Sequence, residues 1–186
     1  FSIDAHKMLG IPLICSAIIF KEAGILYSLN NINGTEYLLK KEDEINYNLG
    51  NISLQCGRRV DALKLWLTFK YYGRSGIKKR IEKLVNIAEH TNKKILQDNN
   101  LELLAPIISL NICFRYVCLN DSIEESNKRI DQIRSELISQ RIYLINTAVI
   151  NNKKCFRLVI VNPQINKEDI DLLLHTIKSI ASDIKL

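Results

Sequence analysis

The chain has 186 residues, of which 47% are hydrophobic and 25% are charged, as in an ordinary globular protein with one medium domain or slightly more. Its net charge is +6 and its pI is near 9.0. The basic residues occur in small groups among Glu and Asp, which indicates solvent-exposed helix faces and a hairpin tip. The longest apolar run, 11–20, is about half the length that spans a bilayer. We therefore expect no nucleic-acid partner and no membrane span.

Five cysteines without a CxxC pair favour buried, reduced thiols in a cytoplasmic protein over a disulfide framework. We find no cluster with metal-ligand spacing and expect no metal. The only methionine is Met8 and the sequence begins at Phe1, so we interpret the chain as a fragment or a processed product.

The first half of the sequence predicts a strand, a long loop and two helices. Residues Ile11–Phe20 have the pattern of a buried strand closed by a turn, and 30–50 form a polar loop of unusual length. Apolar residues recur at helical spacing over Arg59–Tyr72, where Gly73 is a plausible stop. A second helix follows from Ser75 to about Gln97.

A break at 98–100 is the best candidate for a domain boundary. The segment after it predicts a compact α+β domain in the order strand, helix, hairpin, helix. Its elements are a strand around Ile107–Cys118, a helix from the capping box at Ser122 to about Gln140, a hairpin with its tip at 151–154, and a last helix capped by Asn166.

Several ungapped segments, in one order over nearly the whole chain, resemble the glutamate decarboxylase family, the group II pyridoxal-phosphate decarboxylases. A lone His-Lys pair would be weak, but the set is specific. The segments are His6–Ala17, Leu54–Asp61, Lys64–Trp66, Phe156–Ile160, Asn162-Pro163 and Asp169–Asp171.

The resemblance implies an α/β fold. Residues 1–99 would be the C-terminal part of the large domain of a pyridoxal-phosphate-dependent transferase of the aspartate aminotransferase type, and 100–186 a small α+β domain. It also implies pyridoxal 5'-phosphate as cofactor, an amino acid as substrate, and a cytoplasmic homodimer with the active site at its interface.

The resemblance also implies a role for three side chains. Lys7 would form the internal aldimine and His6 would help to hold the cofactor phosphate. Arg157 would bind the substrate α-carboxylate, a task that suits a planar guanidinium. Apart from the resemblance, Lys7 could be a surface charge, His6 a packed histidine, and Arg157 an edge-strand arginine facing water.

Tyr37 is the candidate for the general acid that protonates the substrate carbon after decarboxylation in this family. Its loop departs from the family in length and flanking residues, and Tyr47 is nearby. Cys56 and Arg58 match a Cys-Gly-Arg motif for which we expect a structural role. His90 and His175 are expected at the surface of helices.

The sequence thus predicts decarboxylation of an L-amino acid, with a mild preference for an acidic substrate. In the family, the acid that pairs with the pyridine nitrogen precedes the lysine by more than the six residues present here. We therefore expect these 186 residues alone to be inactive. The alternatives are a carbon–carbon lyase with the same cofactor, and a non-catalytic remnant or interaction module.

Overall fold

The computed structural model describes residues 1–30 and 57–184 of the chain, so Tyr37, Tyr47 and Cys56 lie outside the described residues. Contacts divide the chain into two compact units, Phe1–Gly73 and Arg74–Leu186. Within the described ranges, every helix is too short or too polar to cross a membrane.

The described part of the chain alternates strands and helices. Their order along the chain is β1 (Ser2–Asp4), β2 (Ser16–Ile18), α1 (Ile25–Asn30), α2 (Asp61–Leu96), β3 (Leu101–Leu103), β4 (Asn111–Tyr116), α3 (Ile123–Ser139), β5 (Asn146–Ile150), β6 (Lys153–Val159) and α4 (Lys167–Asp183).

In the first unit, β1 and β2 form an antiparallel pair in which Asp4 lies opposite Ser16. The prediction of a buried strand over Ile11–Phe20 is wrong, because only Ser16–Ile18 is extended and that strand is exposed. Pro12 cannot donate a backbone hydrogen bond, and among the described residues β2 has β1 as its only neighbour. Ile11 and Cys15, ahead of the strand, are buried with Ala5 in a small core instead.

Helix α2 contains the break that the sequence predicts. Gly73 has a φ of 62°, in the left-handed region that glycine adopts without a steric penalty, and it separates two helical segments. The second segment ends at Leu96, one residue before the predicted end. The predicted helices on either side of Gly73 are therefore confirmed.

The second unit contains an antiparallel sheet in the order β3-β4-β6-β5. The predicted strand around Ile107–Cys118 is present but shorter, since it begins at Asn111 after the segment that contains Pro106. Strand β3 was not predicted; its three residues carry too short a pattern to distinguish a strand from the end of the preceding helix.

The predicted hairpin is confirmed as β5 and β6, but its turn is only Asn151-Asn152, because Lys153 and Lys154 of the predicted tip already belong to β6. The φ values of the two asparagines, 49° and 63°, suit the two-residue turn that matches the twist of antiparallel strands. Both predicted helix starts are also confirmed. Ser122 exchanges hydrogen bonds with Glu125, and Asn166 does the same with Asp169, so each helix begins with a capping box.

The core of the second unit lies between the sheet and its helices. Phe114 of β4 and Phe156 of β6 lie opposite each other, with ring centres 5.6 Å apart and neither ring exposed. Other fully buried apolar side chains come from α2, α3, α4, the sheet and the position just after β6: Leu84, Ile95, Ile112, Ile130, Ile133, Leu137, Ile160 and Ile177.

The division into two compact units falls after Gly73, whereas the sequence suggested a domain boundary near residue 99. The part of α2 that follows Gly73 is bound to the rest of the second unit. For example, Lys83 Nζ donates a hydrogen bond of 2.6 Å to the main-chain oxygen of Pro163. His90, predicted to be a surface residue, is partly buried, because its Nε2 lies 2.8 Å from an Asp171 carboxylate oxygen. The assignment of 1–99 and 100–186 to a large and a small domain stays a prediction.

The described cysteines, Cys15, Cys113, Cys118 and Cys155, are free thiols. All but Cys118 are buried, so the expectation of buried thiols is correct for three of them and wrong for Cys118. Burial, reinforced by the neighbouring Cys113, raises the pKa of the Cys155 thiol to about 11, which keeps it protonated and unreactive near neutral pH.

Arg129 is a buried charge that closes the C-terminal end of α4. Its Nε and Nη2 donate to the two carboxylate oxygens of Asp121 at 2.7 and 2.9 Å, while Nη1 donates to the main-chain oxygen of Ile184 at 2.8 Å. Arg129 is 6% exposed. The guanidinium of Arg129 in α3 thus hydrogen-bonds both to the Asp121 carboxylate, in the loop before α3, and to a main-chain carbonyl at the end of α4. It thereby connects these three parts of the unit.

Replacing Arg129 with Met should lower the free energy of unfolding by about 3 kcal/mol, because Asp121 and the Ile184 carbonyl would lose their partner in a nearly dry site. Urea denaturation measures this change. The double variant Arg129→Met with Asp121→Leu should recover part of the loss, since neither charge remains. A double variant as unstable as the single one would contradict the assigned pairing.

The Arg129–Asp121 pair should also make the free energy of unfolding depend on pH in the acidic range. The hydrogen bond from Arg129 is the main cause of a lowered pKa for Asp121, so its stabilising contribution is complete above the ordinary aspartate pKa. It is lost as the pH falls through the lowered value. Between about pH 6 and pH 3, the urea midpoint of the wild type should therefore fall further than that of the double variant; equal falls would contradict the linkage.

Candidate functional site

Lys7 lies in the turn that follows β1, where its amine is accessible. Its side chain is 66% exposed, and Nζ lies 2.5 Å from Oδ2 of Asp4. The turn is formed by backbone hydrogen bonds from Lys7 N to the Asp4 oxygen and from Gly10 N to the Lys7 oxygen, each 3.0 Å long. The amine is thus presented by an ordered turn and held by one carboxylate.

Asp4 is itself fixed by the opposite strand. Ser16 Oγ donates to Asp4 Oδ1 at 2.6 Å, so the two carboxylate oxygens bind Ser16 and Lys7 separately. The hydrogen bond from Lys7, followed by that from Ser16, lowers the pKa of Asp4. The β1–β2 pairing therefore determines where the Lys7 ammonium rests.

His6 has its imidazole oriented by the main chain of Cys15. Its Nδ1 lies 2.9 Å from the Cys15 oxygen and 3.2 Å from the Cys15 nitrogen, and the tautomer decides which of the two contacts is a hydrogen bond. Because Nδ1 is engaged in this way, Nε2 is the ring nitrogen that can meet a ligand. In the tautomer in which Nδ1 accepts from the Cys15 nitrogen, Nε2 carries the proton and could donate to a cofactor phosphate beside the Lys7 amine.

The start of α2 supports the segment that follows Lys7. Lys64 Nζ lies 2.8 Å from an Asp61 carboxylate oxygen and donates to the main-chain oxygen of Ile14 at 2.7 Å. The Cys15 thiol contacts the Asp61 main-chain oxygen at 3.6 Å. Arg58, which is exposed, lines a cavity of about 460 Å³ against this segment, and its structural role stays a prediction.

Arg157 lies in β6, between Cys113 of β4 and Asn146 of β5. It is not an edge-strand residue, yet its side chain is exposed. Among residues 1–30 and 57–184, nothing hydrogen-bonds or pairs with its guanidinium. Phe156 before it faces the core, so the alternation along the strand directs Arg157 to the opposite face.

The candidate residues fall in separate parts of the chain. Lys7 and His6 are adjacent in the first unit, Arg157 belongs to the second, and Tyr37 is outside the described residues. Sequence reasoning missed Asp4 and Ser16. The signal that could have found Asp4 is its spacing of three residues from Lys7, which brings the two side chains together across one turn.

Comparison with known proteins shows the class of protein to which the chain is similar. Residues 1–117 match the model of the pyridoxal-dependent decarboxylase conserved domain. Mouse CSAD is similar in structure over 98% of this chain, with 24% identity and a TM-score of 0.85. Tryptophan decarboxylase of Catharanthus roseus, solved with L-tryptophan, matches 98% of this chain with 20% identity and a TM-score of 0.84.

A third structure is the glutamate decarboxylase domain of a Vibrio parahaemolyticus diaminobutyrate-pyruvate transaminase and L-2,4-diaminobutyrate decarboxylase. It matches 98% of this chain, with 19% identity and a TM-score of 0.73. The chain spans 40% of the length of mouse CSAD, 37% of the Catharanthus enzyme and 34% of the Vibrio protein.

The chain belongs to the pyridoxal-dependent decarboxylase family, because that family's model covers well over half of its residues. The predicted family and α/β fold class are confirmed, and the predicted cofactor is confirmed at the level of the family. The predicted roles of Lys7, His6, Arg157 and Tyr37 stay predictions.

The Lys7–Asp4 contact can be tested directly. Replacing Lys7 with Met should raise the pKa of the Asp4 carboxyl towards its ordinary value, and Ser16→Ala should raise it less, because the Lys7 hydrogen bond is the larger cause of the shift. Carbon-13 NMR titration of the Asp4 carboxyl measures both changes. Lys21→Met is the matched control. A carboxyl that titrates alike in all of these proteins would refute the contact.

Proposed function

We propose that this chain is the C-terminal part of a pyridoxal-phosphate-dependent L-amino-acid decarboxylase, with Lys7 as the point of covalent cofactor attachment. The observation that carries the proposal is an exposed Lys7 amine in an ordered turn, beside an oriented His6, in a segment that matches the family's model. When bound, the cofactor supplies the electron sink for loss of the carboxylate.

This chain's own residues would bind and orient the reactants. His6 Nε2 would contact the cofactor phosphate, because Nδ1 is held by the Cys15 main chain. Arg157 would bind the substrate α-carboxylate; its exposed guanidinium, without a partner among the described residues, supports that role. Tyr37 would donate a proton to the substrate carbon.

The resting contact between Lys7 and Asp4 bears on the first step. An ammonium paired with a carboxylate is not a nucleophile, so Lys7 would have to leave Asp4 and give its proton to solvent before it could hold the cofactor. Asp4, whose other oxygen is held by Ser16, would remain as an ordered carboxylate beside the vacated position.

The remaining parts of the proposal come from the family resemblance. They are a homodimer with the active site at its interface, a cytoplasmic location, and dependence on further polypeptide for activity. We propose that the 186 residues alone do not decarboxylate an amino acid, since they span only 34–40% of the length of the structures that they match.

Cofactor attachment can be tested in the native gene product that contains these residues. After addition of pyridoxal 5'-phosphate and reduction with borohydride, peptide mass mapping should find the phosphopyridoxyl group on Lys7. Lys7→Arg should abolish that label, whereas Lys21→Arg, a nearby exposed control, should keep it. Labelling spread over many lysines, or unchanged in Lys7→Arg, would refute Lys7 as the attachment point.

A further inference from the structure

A cluster of three charged side chains spans β3, β4 and the start of β6. Glu102 of β3 lies opposite Arg115 of β4 in the strand register, and Arg115 Nε donates to Glu102 Oε2 at 2.7 Å. Lys153, the first residue of β6, donates from Nζ to the other carboxylate oxygen, Glu102 Oε1, at 3.1 Å. These three residues are here called the Arg115 cluster. It contains two cations and one carboxylate.

The Glu102 carboxylate is shared between the two cations. Burial opposes its ionisation, but the hydrogen bonds from Arg115 and Lys153 outweigh burial, so the pKa of the Glu102 carboxyl is lowered. Glu102 is therefore ionised at neutral pH, and each of its oxygens binds a different cation. One positive charge of the cluster has no counterion within it.

The Arg115 guanidinium keeps hydrogen-bonding capacity that its neighbours do not use. The side chain is only 10% exposed, and Nη1, which is shielded from solvent, has no hydrogen-bond partner among residues 1–30 and 57–184. A buried charged donor without a partner is costly and calls for an explanation. Because Nε binds Glu102, the end of the guanidinium formed by Nη1 and Nη2 remains, and its geometry matches two oxygens of one oxyanion.

The surroundings of the guanidinium favour an anion. Phe114 enters the core, so alternation along β4 places Arg115 on the other face of the sheet, with Cys113. The Cys155 thiol, which is influenced by the Arg115 charge, has its pKa raised by burial to about 11 and is therefore neutral. Glu102 and Lys153 are 35% and 34% exposed, so the cluster reaches solvent through these two side chains.

We propose that the Arg115 cluster binds one small oxyanion, a phosphate or a carboxylate, at the Nη1–Nη2 end of the guanidinium, with the charge of Lys153 adding to the attraction. The ligand has to be small, because the guanidinium lies at the buried end of the cluster. This inference goes beyond the proposed function and does not rest on it, since neither Lys7 nor Arg157 is a member of the cluster.

The test is a nitrogen-15 NMR titration of the complete 186-residue chain with sodium phosphate and, separately, with sodium acetate at constant ionic strength. The Nε–Hε signal of Arg115 and the backbone amides of 102, 115 and 153 report on the cluster. We expect these signals to shift with a Kd in the millimolar range. Tighter binding of phosphate would identify phosphate as the preferred class, and tighter binding of acetate a carboxylate.

Variants of the cluster should change the affinity in opposite directions. Glu102→Gln removes the internal competitor and should tighten binding at least about threefold, whereas Arg115→Met should abolish the shifts. Lys153→Met should weaken binding, because it removes the second cation. The tightening in Glu102→Gln cannot arise from loss of folding, so the test does not depend on the Arg115 variant alone.

Two arginines outside the cluster serve as controls. Arg74→Met, at an exposed position of the same unit, and Arg157→Met should both keep the Kd within about twofold of the wild type. Absence of any shift would overturn the inference. Equal binding by the wild type and Arg115→Met would show an adventitious ion only. Binding that survives in Arg115→Met but is lost in Arg157→Met would place the anion at Arg157 and would equally overturn it.

Discussion

The position of β6 between β4 and β5 is the constraint on which the second unit depends. Both of its edges are hydrogen-bonded, so its register is fixed from two sides and its side chains cannot change faces. Phe156 must then enter the core against Phe114, and Arg157 must point away from it. The alternation of side chains along β6 therefore has two results. It places Phe156 in the core that stabilises the unit, and it places on the other face the guanidinium that is proposed to bind a carboxylate.

A smaller version of the same principle acts at Lys7. The β1–β2 pair sets Asp4 opposite Ser16, the serine fixes one oxygen of the carboxylate, and the other oxygen holds the lysine amine. An exposed ion pair of this kind contributes little to stability. Its consequence is positional, because it gives a flexible side chain a defined resting place and a neighbour that can stabilise its positive charge.

The elements that the sequence predicted correctly are those with local chemical signals. Capping boxes at Ser122 and Asn166, the Asn151-Asn152 turn and the glycine at 73 each act within a few residues, so the pattern and the structure agree. The prediction failed where the outcome depends on partners distant in sequence. The run Ile11–Phe20 has a strand's composition, but within the described residues only β1 pairs with it. The partial burial of His90 was not predicted, because Asp171, its partner, is 81 residues away.

The residues of the candidate site also fall into those that the sequence indicated and those that only the structure shows. Family resemblance, and not local pattern, singled out Lys7 and Arg157, and the structure adds two neighbours of Lys7 that the sequence did not predict, Asp4 and Ser16. The most direct test of the central claim is release of labelled carbon dioxide from carboxyl-labelled amino acids by the native gene product with pyridoxal 5'-phosphate. The account predicts release that Lys7→Arg abolishes. A cofactor-loaded protein that releases no carbon dioxide from any of the common amino acids would contradict it.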